Sequence, residues 1–191
     1  MSSFMAMMSR MKYISRWSLM RNTRNESLSE HTTDTAMIAH LLSVIRNKRF
    51  GGSIDEGKIT LMALYHDAGE IITGDLPTPI KYHSDEMRNA YKQVENMAAK
   101  RLVSMLPDDL REEYRPLLME ECTDEEKALV KAADKLSALI KCIEERKAGN
   151  TEFSVAEKTT LESIKAMNLP EADVFIEEFL PGYLLTIDEQ N

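Results

Sequence analysis

Three stretches of this chain carry the spacing of a helix capping box: Ser27-Leu28-Ser29-Glu30, Ser53-Ile54-Asp55-Glu56 and Thr123-Asp124-Glu125-Glu126. In such a box a hydroxyl accepts a backbone N–H of the new helix and the Glu returns the bond, so each marks a helix start. Apolar residues follow at helical spacing and few runs alternate as strands do, which predicts an all-α fold. After the first box, Ala36, Met37, Leu41, Val44 and Ile45 are expected to form a buried stripe. The helix from the second box runs through Ile59-Thr60-Leu61-Met62-Ala63-Leu64-Tyr65 and ends in His66-Asp67. The third opens a long helix that bears Asp134, buries Leu129, Ala133, Leu136, Ile140 and Ile143, and closes near Gly149-Asn150. Tyr82 to Met105, Asp108 to Met119, Phe153 to Met167 and Glu171 to Phe179 read as further helices. Gly74-Asp75-Leu76-Pro77-Thr78-Pro79 reads as a rigid loop, because two prolines and a glycine break a helix.

The chain's 191 residues fit one domain, spanning 1–191, that can bury a core without disulfides or structural metal. No stretch approaches the roughly 18 apolar residues of a membrane span. The Met-rich start, Met1 to Met8, lacks a basic segment and cleavage site, so it is expected to be a helix face and the protein cytoplasmic. Cys122 and Cys142 have neither zinc-site spacing nor the density of a secreted scaffold, and read as reduced thiols. A net charge of −8 argues against binding a nucleic-acid polymer, which takes many clustered Lys and Arg. A few local cations can still hold one phosphate.

The pair His66-Asp67 carries the strongest chemical suggestion, because neighbouring helical residues point about 100° apart and can offer a nitrogen and an oxygen to one cation. His31, in the first turn after its capping box, and Asp134 are candidates for the remaining positions. Two imidazoles and two carboxylates suit Mn²⁺, Co²⁺, Fe²⁺ or Zn²⁺ and would neutralise a divalent charge. Spacing alone would not select Asp134, which lies on the flank of its helix's apolar stripe and reads as part of a solvated ion-paired face with Lys127, Lys131 and Lys141, the reading that spacing favours.

Taken together, Ser29-Glu30-His31, His66-Asp67-Ala68-Gly69-Glu70 and Ala133-Asp134 resemble the H…HD…D pattern of HD-domain metal-dependent phosphohydrolases. Adding Arg16-Trp17-Ser18-Leu19-Met20-Arg21-Asn22 and Thr73-Gly74-Asp75-Leu76-Pro77-Thr78-Pro79-Ile80-Lys81, nearly the whole chain resembles bacterial 5′-deoxynucleotidases of the YfbR type. The resemblance implies an HD-domain helical bundle with one divalent ion per subunit, Co²⁺ or Mn²⁺ ahead of Zn²⁺, Mg²⁺ or Fe²⁺. It makes His31, His66, Asp67 and Asp134 the ligands. It implies a cytoplasmic homodimer that removes the phosphate of deoxyribonucleoside 5′-monophosphates and refuses ribonucleotides. The stretch Glu120-Glu121-Cys122-Thr123 departs from the family's corresponding loop.

Roles follow for single residues. Arg16 is expected to clamp the phosphate, since a guanidinium fork holds two oxygens at once; without the resemblance it reads as a surface arginine. Trp17 is expected to pack on the deoxyribose so that a 2′-hydroxyl clashes, with a core anchor as the alternative. Glu70, four residues after His66, is expected to orient or deprotonate the attacking water, or else to be a solvated helix end. Asp75 is expected to accept the sugar 3′-hydroxyl or order the water. His31 and Asp134 also border the substrate. Hydrolysis is expected to be direct, without a covalent enzyme intermediate. Rival readings are another HD-type hydrolase, acting on a triphosphate, cyclic nucleotide or alarmone, and a nucleotide sensor that turns nothing over.

Overall fold

Helix α2 (Leu28–Arg49) starts where the sequence places it. Ser27 accepts the backbone N–H of Glu30, and the Glu30 carboxylate accepts the backbone N–H of Ser27 at 2.8 Å, satisfying two N–H groups that a bare helix end leaves orphaned. The structure, a computed structural model, describes residues 1–81 and 83–190, with backbone alone for Thr78 and Pro79. Tyr82, expected at a helix start, and Asn191, the last residue of the expected domain, lie outside the described residues.

Helix α8 (Asp124–Lys147) opens on the second reciprocal box, between Thr123 and Glu126. It closes on Gly149, whose φ of 85° lets the N–H groups of Gly149 and Asn150 turn back to the carbonyls of Arg146 and Glu145, both at 2.9 Å. Helix α3 (Glu56–Tyr65) corrects one expectation. Asp55, not Ser53, caps it by accepting the Lys58 N–H, while Glu56 accepts from Asn47, whose amide also pairs with the Ile54 backbone in both directions. A carboxylate two residues closer to the helix took the capping role, and Glu56 was recruited to α2.

The remaining helices are α1 (Phe4–Met8), α4 (Glu70–Thr73), α5 (Thr78–Lys81), α6 (Asp85–Ser104), α7 (Arg111–Leu118), α9 (Ser154–Lys165) and α10 (Pro170–Val174). The expected loop holds over 74–77, and at Thr78 it gives way to one helical turn, which Pro79 tolerates because a first-turn residue needs no N–H partner. The expected helix over Glu171–Phe179 splits into α10 and a wider turn at Phe175–Phe179. Among the described residues the extended pairing is one antiparallel bridge, Ser15 to Ser27.

Helix α2 packs on α3 and α8, and α8 on α9, around a core that includes Leu42, Ile59, Ala63, Leu129, Leu136, Ile164 and Phe175. The α8 stripe is buried as expected. The α2 stripe is buried only at Ala36 and Ile45: Met37 is 60% exposed and Leu41 and Val44 are half-buried, because the buried face also runs through Leu28, His31, Thr35, Ile38 and Leu42. A second cluster joins Phe4, Ala68, Leu102, Leu106 and Leu118 from α1, α6 and α7. Ala63 belongs to the first core and Ala68 to the second. His66-Asp67 lie in the step between them.

Candidate functional site

At the end of α3 the backbone tightens. The N–H groups of Ala68, Glu70 and Ile71 bond to the carbonyls three residues back, on Tyr65, Asp67 and Ala68. The helix does not continue regularly to Glu70, and the tight turn carries Asp67 toward α2 and α8.

His31, wholly buried, reaches this turn from α2, and Asp134 reaches it from α8. One donor atom each from His31, His66 and Asp134 lie within 4.8 Å of one another. Asp67 Oδ2 closes the group at 3.2 Å from His66 Nε2 and 3.6 Å from His31 Nε2, and Asp134 Oδ1 stands 3.1 Å from His31 Nε2. Both imidazoles are turned the same way. His66 Nδ1 donates to the Ala63 carbonyl at 2.7 Å, and His31 Nδ1 pairs with Ser137 Oγ at 3.1 Å, so each ring directs Nε2 inward.

The arrangement fits a divalent cation. His66 Nε2 is buried, and despite its distance to Asp67 it makes no well-formed hydrogen bond among the described residues. Burial by itself would lower the His66 pKa, but the Asp67 carboxylate outweighs it and pushes it up to about 9. Asp67 is held well below the usual carboxylate range, burial being overcome by His66, His31 and Arg16, and Asp134 is lowered by His31 and His66. Two partly exposed carboxylates thus draw positive charge to the point where two imidazole nitrogens converge, which is the kind of N₂O₂ ligand set that suits a metal.

Arg16 borders this group, its Nη1 3.5 Å from Asp67 Oδ2. Burial works against its charge, and Asp67, Asp134, Glu26 and Asp75 more than offset that. Trp17 is half-buried with φ at 58°, a left-handed conformation that costs a bulky residue about 1–3 kcal/mol. Its ring leans on Phe153 at 5.3 Å, and its Nε1 donates to Glu26 at 2.9 Å. Glu70 is buried rather than a solvated helix end. One oxygen accepts from Lys81 at 2.9 Å, the other has no partner among the described residues, and burial together with the Asp67 charge pushes its pKa up to about 8. Asp75 reaches the same neighbourhood, its charge raising the pKa of both Arg16 and Glu70. Two of the three lysines expected beside Asp134 pair with other carboxylates, Lys127 with Glu120 and Lys141 with Glu145, while Lys131 stays near it, in the wall of the same cavity.

A family model, 5′-deoxynucleotidase YfbR-like, matches residues 3–183. The chain belongs to that family. It is 47% identical over 190 residues to a 5′-deoxynucleotidase of Photorhabdus temperata, covering 99% of this chain and 96% of the relative. It is 49% identical over 190 residues to 5′-deoxynucleotidase YfbR of Escherichia coli, covering 98% and 95%. An HD-domain phosphohydrolase from Listeria innocua shares the fold at a TM-score of 0.83 and 24% identity, over 97% of this chain and 90% of that one. A cyanophage S-2L HD phosphohydrolase, solved with dA and one catalytic Zn²⁺, does so at 0.67 and 20% identity, over 92% and 95%. The all-α HD-domain architecture is thereby shown.

Two cavities of about 240 and 210 Å³ open beside His66, both lined by Glu120 and Lys127. Lys92, Asn96 and Glu70 line the first, and Lys131 and Asp134 the second. Glu120, with φ at 51°, stands in the wall of both cavities. A larger cavity, about 680 Å³, lies on another flank of α2 and α8 and includes none of the four clustered residues. Sequence reasoning missed Glu26, Ser137 and Lys81 as site components. Only Lys81 carried a signal, its place at the end of the Gly-Asp-Leu-Pro-Thr-Pro segment.

Proposed function

We propose that this chain is a metal-dependent 5′-deoxynucleotidase. It cleaves deoxyribonucleoside 5′-monophosphates to deoxynucleoside and phosphate and rejects ribonucleotides. The observation that carries the reading is the convergence of His31, His66, Asp67 and Asp134 beside Arg16 and Glu70, in a chain nearly half identical to relatives named for that activity.

His31, His66, Asp67 and Asp134 would hold the ion, with Co²⁺ or Mn²⁺ first among divalent candidates. A bound divalent ion supplies an acidified water and polarises a phosphoryl oxygen. Arg16 binds the phosphate and offsets charge that grows as the ester bond breaks. Glu70 has an oxygen without a partner among the described residues and a pKa pushed up to about 8, so it exchanges a proton with water at that atom. Lys81, bonded to the other oxygen, fixes the carboxyl's orientation. Trp17 sets the sugar wall, and Asp75 offers an acceptor to the 3′-hydroxyl or to the water. We also place the active form as a cytoplasmic homodimer of one-domain subunits. No helix among the described residues is long and apolar enough to cross a membrane.

The test is phosphate release from paired deoxyribo- and ribonucleoside 5′-monophosphates after chelation and readdition of Co²⁺, Mn²⁺, Mg²⁺ or Zn²⁺. Metal-dependent release from the deoxy member of each pair is expected. Equal release from both sugars would remove the Trp17 role, and no release under any metal would overturn the reading.

A further inference from the structure

We propose that Glu26 is a positioning residue that sets the phosphate-holding Arg16 and the sugar-facing Trp17 at once, making phosphate capture and sugar discrimination depend on one carboxylate. The inference rests on the reading that Arg16 and Trp17 meet the nucleotide.

A single oxygen, Glu26 Oε2, accepts from Trp17 Nε1 at 2.9 Å and from Arg16 Nε at 3.3 Å. The backbone repeats the link. Arg16 N–H donates to the Glu26 carbonyl at 3.0 Å, Leu28 N–H donates to the Ile14 carbonyl at 2.8 Å, and Ser15 bridges Ser27. Residues 14–16 and 26–28 are thus zipped together immediately before α2, which carries His31. The carboxylate is largely withdrawn from solvent, with side-chain exposures of 13% for Glu26 and 12% for Arg16, so its bonds are little diluted by water.

The charge of Glu26 is the informative point. A carboxylate beside an arginine that must take a phosphate competes with the phosphate and lowers its affinity. Charge alone gives no reason for it to stand there, whereas geometry does. With Nε engaged by Glu26, the guanidinium is turned so that Nη1 points to Asp67, at the centre. Trp17 has the complementary need, because its left-handed backbone does not by itself fix the ring. Its indole is held between Phe153 and the Glu26 bond. Loosening Glu26 frees both side chains together.

Trp17 is the only tryptophan, so tryptophan emission, excited at a wavelength the six tyrosines do not absorb, reports this position alone. The experiment compares Glu26→Ala, Glu26→Gln, Arg16→Ala, Trp17→Ala and the double variant Glu26→Ala with Arg16→Ala. Each is assayed with a deoxyribo- and a ribonucleoside 5′-monophosphate and checked for fold by circular dichroism. We expect Glu26→Ala to lower kcat/KM for the deoxy substrate roughly tenfold to hundredfold, the range for losing a charged hydrogen bond. The deoxy-to-ribo ratio narrows as well, and Trp17 emission shifts in a folded protein. In the Arg16→Ala background the same substitution should cost less than about threefold with the deoxy substrate, because the route through the guanidinium is already gone, while the narrowing of the sugar ratio through Trp17 persists. Glu26→Gln keeps an acceptor for the indole but not the charge that orients the guanidinium. It should preserve the sugar ratio and emission while turnover falls, and it serves if the alanine variant does not fold. An equal cost in both backgrounds, or unchanged rates and emission in both Glu26 variants, would overturn the inference. If Arg16→Ala and Trp17→Ala are themselves without effect, the substrate reading fails and takes this inference with it; if they act and the Glu26 variants do not, only the inference fails.

Discussion

Each imidazole of the centre has its outer nitrogen occupied, by the Ala63 carbonyl for His66 and by Ser137 for His31, so the inward nitrogen is set before any ion arrives. Removing the Ser137 hydroxyl should loosen His31 without touching the ion, and Ser137→Ala is expected to weaken Co²⁺ binding about tenfold in a competition titration. Unchanged affinity would show that burial alone orients the ring. Glu70→Ala should retain metal and nucleotide binding while turnover drops at least about a hundredfold. Full turnover would take Glu70 out of the chemistry. For Asp75→Asn, a raised KM with intact kcat marks contact with the sugar, and a lowered kcat marks contact with water. At this scale the sequence was readable through segments: His31, His66, Asp67 and Asp134 stood in a recognisable order, but spacing could not separate Asp134 from a lysine-paired surface. The reason is three-dimensional. Lys127 and Lys141 are drawn away by Glu120 and Glu145, and the partner of Asp134 is His31, on another helix.

The loop that carries Arg16 and Trp17 owes its place to the C-terminal end of α8. There the buried Glu145 accepts from the Thr23 backbone at 2.9 Å, from the Thr23 hydroxyl at 2.8 Å, from Asn150 at 2.8 Å and from Lys141, whose ammonium also reaches the Arg24 carbonyl at 2.6 Å. Burial would raise the Glu145 pKa, but Lys141 and these donors hold it well below the usual carboxylate range. A carboxyl depressed in the folded state stabilises fully above its unfolded pKa of about 4.3, and that contribution drains away as pH falls toward the folded value. Glu145→Gln should therefore cost about 3–5 kcal/mol at pH 7, because it leaves Lys141 buried without its partner, and the gap from wild type in thermal melts should narrow below about pH 4. A gap that does not change with pH would mean that Glu145 acts by shape alone. Thr123→Ala, at the cap of α8, is expected to cost about 1 kcal/mol in a denaturant titration. Helix starts were legible where cap and partner stood alone, as at Ser27 and Thr123. At Ser53 the pattern misled because Asp55 offered a nearer acceptor, and for α2 the apolar stripe misled because its buried face includes His31, Thr32 and Thr35.

In the molecule as a whole, the four residues that would hold the ion lie where the two apolar clusters meet, and come from α2, from the turn after α3 and from α8. An ion there ties three elements together and binds the folded chain in preference to the unfolded one, which stabilises it by mass action. The helical architecture was legible from periodicity and caps, but the seam was not, because it depends on which cluster Ala63 and Ala68 each join. The most direct test of the centre is Co²⁺ retained per chain after chelation, readdition and dialysis, measured by elemental analysis for wild type, Asp67→Ala and Asp134→Ala. One ion per wild-type chain, and none retained by either folded variant, is the result predicted. Stoichiometric Co²⁺ in Asp67→Ala or Asp134→Ala would contradict the four-ligand centre.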